Sequence, residues 1–201
     1  NKVIITEPYS KNFIKELSSK NKYHSSLQIN LPKSLKFRKF SINLLKEKFD
    51  LIVIALSLSG IDFIGKYLKK LKLKTPILVL TKGLKYQKKN NKILTISEQL
   101  KNNYNGTNIS VLKGPCLAKE LARKKQTSVI IASKNIKIAK WIGKMISTKY
   151  YIIECSKDII GVEVCSAIKN IYAMIIGAGQ SLNTSSSLFQ KSIIEMKYLT
   201  K

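Results

Sequence analysis

The chain has 201 residues, 44% of them hydrophobic, enough apolar material for one or two domains. Its 37 Lys+Arg against 11 Asp+Glu give a net charge of +26, the balance of a nucleic-acid-binding protein. The excess is spread along the whole chain and, apart from Arg38 and Arg123, is entirely lysine, so it lacks the guanidinium forks that read base edges, and sequence-specific nucleic-acid recognition is not expected.

Short apolar runs alternate with helical patterns. Residues 3–5 read as a short strand, and residues 10–17 as an amphipathic helix with Phe13, Ile14 and Leu17 on one face. Residues 50–56 form the clearest strand, a continuous apolar run of the kind that parallel sheets cover on both sides. Ser57 or Ser59 can cap the next helix, where Ile61, Ile64, Tyr67, Leu68 and Leu71 recur at helical spacing. A strand at 75–80 follows, then a helix at 93–100, strands at 109–112 and 128–132, a helix at 137–146 and a strand at 150–154. Strands alternating with helices imply parallel crossovers and an α/β fold with a Rossmann-like doubly wound sheet over residues 1–157. From about residue 158 the pattern is helical alone, the start of a second, all-helical domain at 158–201.

The most apolar run, residues 51–58, is too short to span a bilayer, which needs roughly 20 residues. The N-terminus lacks the basic, apolar and small-residue order of a signal peptide. Cys116, Cys155 and Cys165 are odd in number and form no CxxC pair, which favours a reducing cytoplasm. His24, the only histidine, lies in a polar stretch, reads as a surface residue and leaves no metal site in view. Lys, Asn and Ile crowd stretches such as 88–92 and 134–138. They share A/T-rich codons, so genome composition accounts for the charge without selection for it.

Three patches carry chemistry. Thr81-Lys82-Gly83 follows a strand directly, at the carboxyl edge where open α/β sheets bind ligands. Lys82 would set an ammonium beside a phosphate or carbonyl oxygen, and Gly83 would let the backbone turn; a solvated surface lysine is the plainer alternative. Gly114-Pro115-Cys116-Leu117-Ala118-Lys119-Glu120 lies between a strand and a helix-favouring run, a turn that either offers free backbone N–H groups to a ligand oxygen or is an ordinary strand-to-helix turn in which Gly and Pro only provide the geometry. Ile160-Gly161-Val162-Glu163 runs on to Ala167-Ile168-Lys169-Asn170 within one helical stretch. A lysine partly withdrawn from water among Val164, Ile168 and Tyr172 suits proton donation to a carbonyl; a lysine snorkelling from an amphipathic helix fits the same pattern.

In this order, and followed by Gly177-Ala178-Gly179 and Ile194-Glu195-Met196, the patches resemble the NAD(P)-dependent glycerol-3-phosphate dehydrogenases. The resemblance is weak before residue 50 and close from 114 to 178. It implies an oxidoreductase that uses NADH or NADPH to reduce dihydroxyacetone phosphate to sn-glycerol 3-phosphate for phospholipid synthesis. Under it Lys169 is the catalytic proton donor, Lys82, Gly114, Cys116, Lys169 and Asn170 meet the substrate, and Lys82 and Ala118 meet the cofactor. It also allows a homodimer. No GxGxxG occurs in the chain, and Gly177-Ala178-Gly179 is too late and too helical to serve as that loop. Cys116 stands where the family usually has Ser or Thr, and Leu182-Asn183 where it usually has a Gly-Asp-Asn turn. The chain thus resembles an internal section of the enzyme that starts near the second strand and stops before the helices bearing an Arg-Asn pair, which leaves turnover by the section alone in doubt. The alternatives are a basic, non-specific nucleic-acid-binding module and a decayed remnant of the enzyme.

Overall fold

The computed structural model describes residues 2–7, 15, 17, 22–71, 73–101 and 108–200. They fall into two compact units, one formed by residues 1–48 and 116–126, the other by 49–115 and 127–201.

In the first unit the expected opening strand is present as β1 (Ile4–Ile5), which pairs in parallel with β4 (Lys36–Phe37). Between them, β2 (Tyr23–His24) and β3 (Ile29–Asn30) form an antiparallel hairpin. His24 is half-buried there and its Nδ1 accepts from the Leu27 N–H at 3.3 Å, so it organises the turn instead of lying loose on the surface. Helix α1 (Ile42–Leu45) starts at Ser41, whose hydroxyl accepts from the Leu44 N–H, and it buries Leu44 and Leu45. The amphipathic helix expected at 10–17 lies outside the described residues, except for Lys15 and Leu17.

The second unit is built on a five-stranded sheet ordered β11-β10-β9-β6-β5. Its strands are β5 (Ile52–Ile54), β6 (Ile77–Val79), β9 (Ile109–Lys113), β10 (Thr127–Ser133) and β11 (Tyr151–Ser156). Each falls on a run expected to be a strand; the central runs are covered on both faces, as in parallel sheets, while the edge strands β5 and β11 leave Val53 and Ile152 exposed. Ile77, Leu78 and Val79 are all buried.

The sheet is not wholly parallel. β5, β6 and β9 run together and β10 runs with β11, but β9 and β10 are antiparallel, Ile131 opposite Leu112. The reason lies in residues 114–126, whose helix α4 (Ala118–Ala122) has only five residues. A parallel return needs a crossover, usually a longer helix, so the chain turns back beside itself.

Helix α2 (Leu58–Leu71) follows β5 and buries Ile61, Ile64 and Leu68 on one face. Helix α5 (Ile136–Ile146), capped by Asn135, sets Ala139 and Ile142 against Leu78 and Ile131 in the core. Each buried Ile or Leu among them contributes about 1.5–3 kcal/mol by leaving water, as an upper range.

The helix expected at 93–100 is only half helix. Residues 92–95 form β8 (Lys92–Thr95), paired antiparallel with β7 (Leu84–Gln87), and the helix α3 (Ile96–Lys101) starts after them. The turn before β8 holds Asn91 at φ 49°, a left-handed conformation that Asn tolerates and that closes the hairpin. Asp62 of α2 fastens this hairpin by an ion pair to Lys85 at 2.5 Å and a hydrogen bond from Gln99 of α3.

Two long helices end the chain, α6 (Ile159–Gly177), with Asp158 as its cap, and α7 (Leu182–Leu199), with Ser181. By length and composition α6 could cross a membrane, with a mean hydropathy of 1.7, a feature that the run at 51–58 did not offer. Here it packs on β9 and β10 and carries a buried carboxylate, Glu163, in its second turn. Tyr172 hydrogen-bonds Glu195 and so ties α6 to α7.

Candidate active site

The carboxyl ends of β5, β6 and β9 lie side by side and are laced by side chains that bond the neighbouring strand's backbone. The Thr81 hydroxyl, just past β6, donates to the Leu56 carbonyl past β5 at 2.7 Å. Lys113, the last residue of β9, is 3% exposed, and its ammonium donates to the Thr81 carbonyl. Lys82 reaches the opposite way and donates to the Gly114 carbonyl at 3.4 Å. Two adjacent strand ends therefore exchange lysine donors, one buried, the other exposed and long.

The turns after these strands need their glycines. Gly83 has φ +129° and Gly114 φ +148°, conformations that L side chains rarely adopt. A Cβ at Gly114 would also stand 2.9 Å from the Val129 Cα and 3.1 Å from the Ser128 carbonyl oxygen, backbone atoms of β10 that cannot swing aside. Gly114 is thus fixed by close approach to the next strand as well as by its turn.

Helix α6 brings the third patch to the sheet. Glu163 is 2% exposed and accepts from the Ser97 N–H with both oxygens, at 3.1 and 3.3 Å, which anchors α6 to the start of α3. Burial pushes the Lys113 ammonium down to about 8; the negative charge of Glu163 opposes that shift, and the positive charge of Lys82 adds to it. Lys113 therefore feels a group from each of the other patches.

Lys169 lies six residues beyond Glu163 on α6, about 9 Å along its axis, and is half-buried. Asn170 follows and is exposed. Between Glu163 and Lys169, the Ser166 hydroxyl is buried with no hydrogen-bond partner among the described residues. Cys116 and Ala118 are exposed and belong to the other compact unit. The structure therefore brings Lys82 and Gly114 into contact and sets Glu163 near their base, with Lys169 and Asn170 further along the same helix.

Sequence reasoning passed over Lys113, one lysine among many. A signal was there: Ile109, Val111 and Lys113 share a side of β9 by the two-residue alternation of a strand, and the first two are buried. Glu163 was noticed as part of a motif, but its bond to Ser97 joins residues 66 apart in sequence, which no local pattern reveals. Among the described residues no group of His, Cys, Asp or Glu is placed to hold a metal ion.

Known proteins match along nearly the whole chain. Residues 3–139 match the family model of the NAD-dependent glycerol-3-phosphate dehydrogenase N-terminus, and residues 158–201 that of its C-terminus. A glycerol-3-phosphate dehydrogenase (NAD(P)+) of Leptospira biflexa is 32% identical over 174 residues, 83% of this chain and 51% of that protein. One of Mycoplasma mobile is 31% identical over 189 residues, 89% of this chain and 54% of that protein. The fold matches that of a glycerol-3-phosphate dehydrogenase from Coxiella burnetii, with a TM-score of 0.81 at 24% identity over 98% of this chain and 61% of the other. It also matches a structure from Dunaliella salina, with a TM-score of 0.83 at 21% identity over 100% of this chain and 36% of the other. The chain spans about half the length of the curated relatives it matches. With both halves of the family pattern present in order, and its sheet and helices folded accordingly, the chain belongs to the NAD-dependent glycerol-3-phosphate dehydrogenase family.

Proposed function

We propose that this protein reduces dihydroxyacetone phosphate to sn-glycerol 3-phosphate, with NADH or NADPH as the reductant, in the cytoplasm and for phospholipid synthesis. Family membership supports the reaction class. The observation that carries the reading to these residues is the Lys82 ammonium, exposed at the carboxyl edge of the sheet and held, among the described residues, by a 3.4 Å bond to Gly114. Such a bond is readily exchanged for one to an anionic oxygen, which makes a stronger, charge-assisted partner.

The residues present fit a dinucleotide. The carboxyl edge of an open α/β sheet is the usual place for one, and Lys82 is exposed there beside the turn at Gly83. The Ser166 hydroxyl, one turn before Lys169, is buried and has no partner among the described residues, an unsatisfied polar atom close in sequence to the proposed proton donor. Lys82 would contact both cofactor and substrate, and Ala118 would lie beside the cofactor. When bound, NAD(P)H supplies the reducing equivalent; the rest is the work of the chain.

Lys82, Gly114, Cys116 and Asn170 would hold the substrate, and the Lys169 ammonium would give its proton to the carbonyl oxygen as that oxygen gains charge, and take it back in the reverse direction. We further take residues 1–157 as the dinucleotide-binding domain and 158–201 as the start of the helical substrate domain. The remaining helices of that domain, and a second copy in a homodimer, are features of the whole protein on this reading.

The test is the absorbance of NAD(P)H. It should fall on addition of dihydroxyacetone phosphate and not of unphosphorylated dihydroxyacetone, and Lys82→Ala should raise KM about 10-fold to 100-fold, the value of one charge-assisted hydrogen bond. Equal rates with the unphosphorylated ketone, or an unchanged KM in the variant, would refute the reading. A basic polyanion-binding module would instead show binding to RNA that falls steeply with salt.

A further inference from the structure

We propose that Lys113 is a positioning residue of this site, a buried second cation that holds the Lys82 turn by its backbone and takes up a proton when an anionic substrate arrives. The inference rests on the functional reading above and deepens it. Its basis is the crossed exchange of donors between the ends of β6 and β9.

Lys82 and Lys113 are not equivalent. Lys113 is buried and bonds the Thr81 carbonyl, the atom immediately before Lys82 in the chain. Lys82 is exposed, and its own bond to Gly114 is long. The first lysine therefore sets where the turn stands, and the second is free to leave its carbonyl for a ligand oxygen. An apolar side chain at 113 would remove the Thr81 contact and with it the fixed origin of Lys82.

The charges in the site argue for the proton. β9 is flanked by β6 and β10, which carry no ionisable side chain, by α3 with Glu98 and Lys101, and by α6 with Glu163, Cys165, Lys169 and Tyr172. Of these groups and Lys82, it is Glu163 that favours the charged form of Lys113 and Lys82 that disfavours it. Burial is the largest influence and leaves Lys113 with a pKa of about 8, so near that pH about half the molecules hold a neutral amine. A phosphate dianion beside Lys82 offsets the repulsion between the two lysines and favours the ammonium at 113. The amine then takes one proton from solvent, and nothing is oxidised or reduced.

Calorimetric titration with sn-glycerol 3-phosphate near pH 8, in two buffers of different ionisation enthalpy, measures that proton directly. The wild type should take up a fraction of a proton, at most one, per ligand bound. Lys113→Met should bind at least about 10-fold more weakly and take up none, while Lys113→Arg, always charged, should restore affinity without uptake. Binding by the wild type without uptake, or unchanged affinity and uptake in Lys113→Met, overturns the inference and leaves the functional reading intact. Failure of the wild type to bind sn-glycerol 3-phosphate at all overturns the functional reading itself. Should the variants not fold, NMR titration of the Lys113 side chain in the wild type decides: its midpoint should rise with ligand, and an unmoved midpoint overturns the inference.

Discussion

Replacing Glu163 by Ala should destabilise the protein by about 3–5 kcal/mol near neutral pH, the cost of breaking a buried charge arrangement from one side. The Glu163 carboxylate is 2% exposed, accepts the Ser97 N–H with both oxygens and faces the charge of Lys113. Its loss leaves a buried amide without a partner and a buried ammonium without its counter-charge. Glu163→Gln keeps an acceptor for Ser97 and should lose less than half as much. The penalty should also depend on pH. In the folded state burial holds Lys113 near 8, below the ordinary lysine value of about 10.4, so this group opposes folding below pH 8 and ceases to do so as pH rises through that window. Without Glu163 the opposition deepens at low pH, whereas near pH 10 Lys113 is neutral with or without Glu163 and only the lost Ser97 bond remains. Urea unfolding at pH 6.5 and pH 9.5 checks this: the Glu163→Ala penalty should be larger at the lower pH. A penalty below about 1 kcal/mol at pH 6.5 would contradict it.

Lys169→Ala should leave stability nearly unchanged and lower kcat by about 100-fold to 10,000-fold, the usual contribution of a placed general acid. Lys169 is only half-buried, so its removal opens no large cavity. The chemistry has more to lose. Reducing a ketone puts charge on its oxygen, and without a donor that charge must wait for water. Initial rates of NAD(P)H consumption at saturating dihydroxyacetone phosphate measure the effect, and thermal melting shows that the variant is folded. A kcat within about fivefold of the wild type would remove Lys169 from the role of proton donor.

How far the sequence foretold the fold varied with how local its causes are. The strands of the main sheet were readable because Ile52 to Ile54, Ile77 to Val79 and Ile109 to Leu112 are apolar runs too short for helices. The β7–β8 hairpin was not, because Ile93 and Leu94 next to a genuine helix extend its apolar pattern; only pairing with Tyr86 and Lys85 makes them a strand, and Ile93 remains 66% exposed. The antiparallel step between β9 and β10 was hidden for a similar reason, since five helical residues in α4 look like the start of a crossover until the return strand is seen.

The candidate site was legible as motifs but not as a mechanism of support. Residue type and position marked Lys82, the Gly114 turn and Lys169 as candidates, and their roles came from the family resemblance. The features beneath them, Lys113 on Thr81 and Glu163 on Ser97, are long-range contacts. In a chain with so many lysines, only burial sets Lys113 apart.

On the proposed function, Lys82, Gly114 and Lys169 belong to one site for a phosphorylated three-carbon compound. Amide NMR titration with sn-glycerol 3-phosphate tests it without requiring turnover. The signals of Lys82, Gly83, Gly114, Lys169 and Asn170 should move along a single binding curve, and glycerol should leave them in place. Shifts scattered over the lysine-rich surface and erased by moderate salt, or separate curves for Lys82 and Lys169, would contradict the claim.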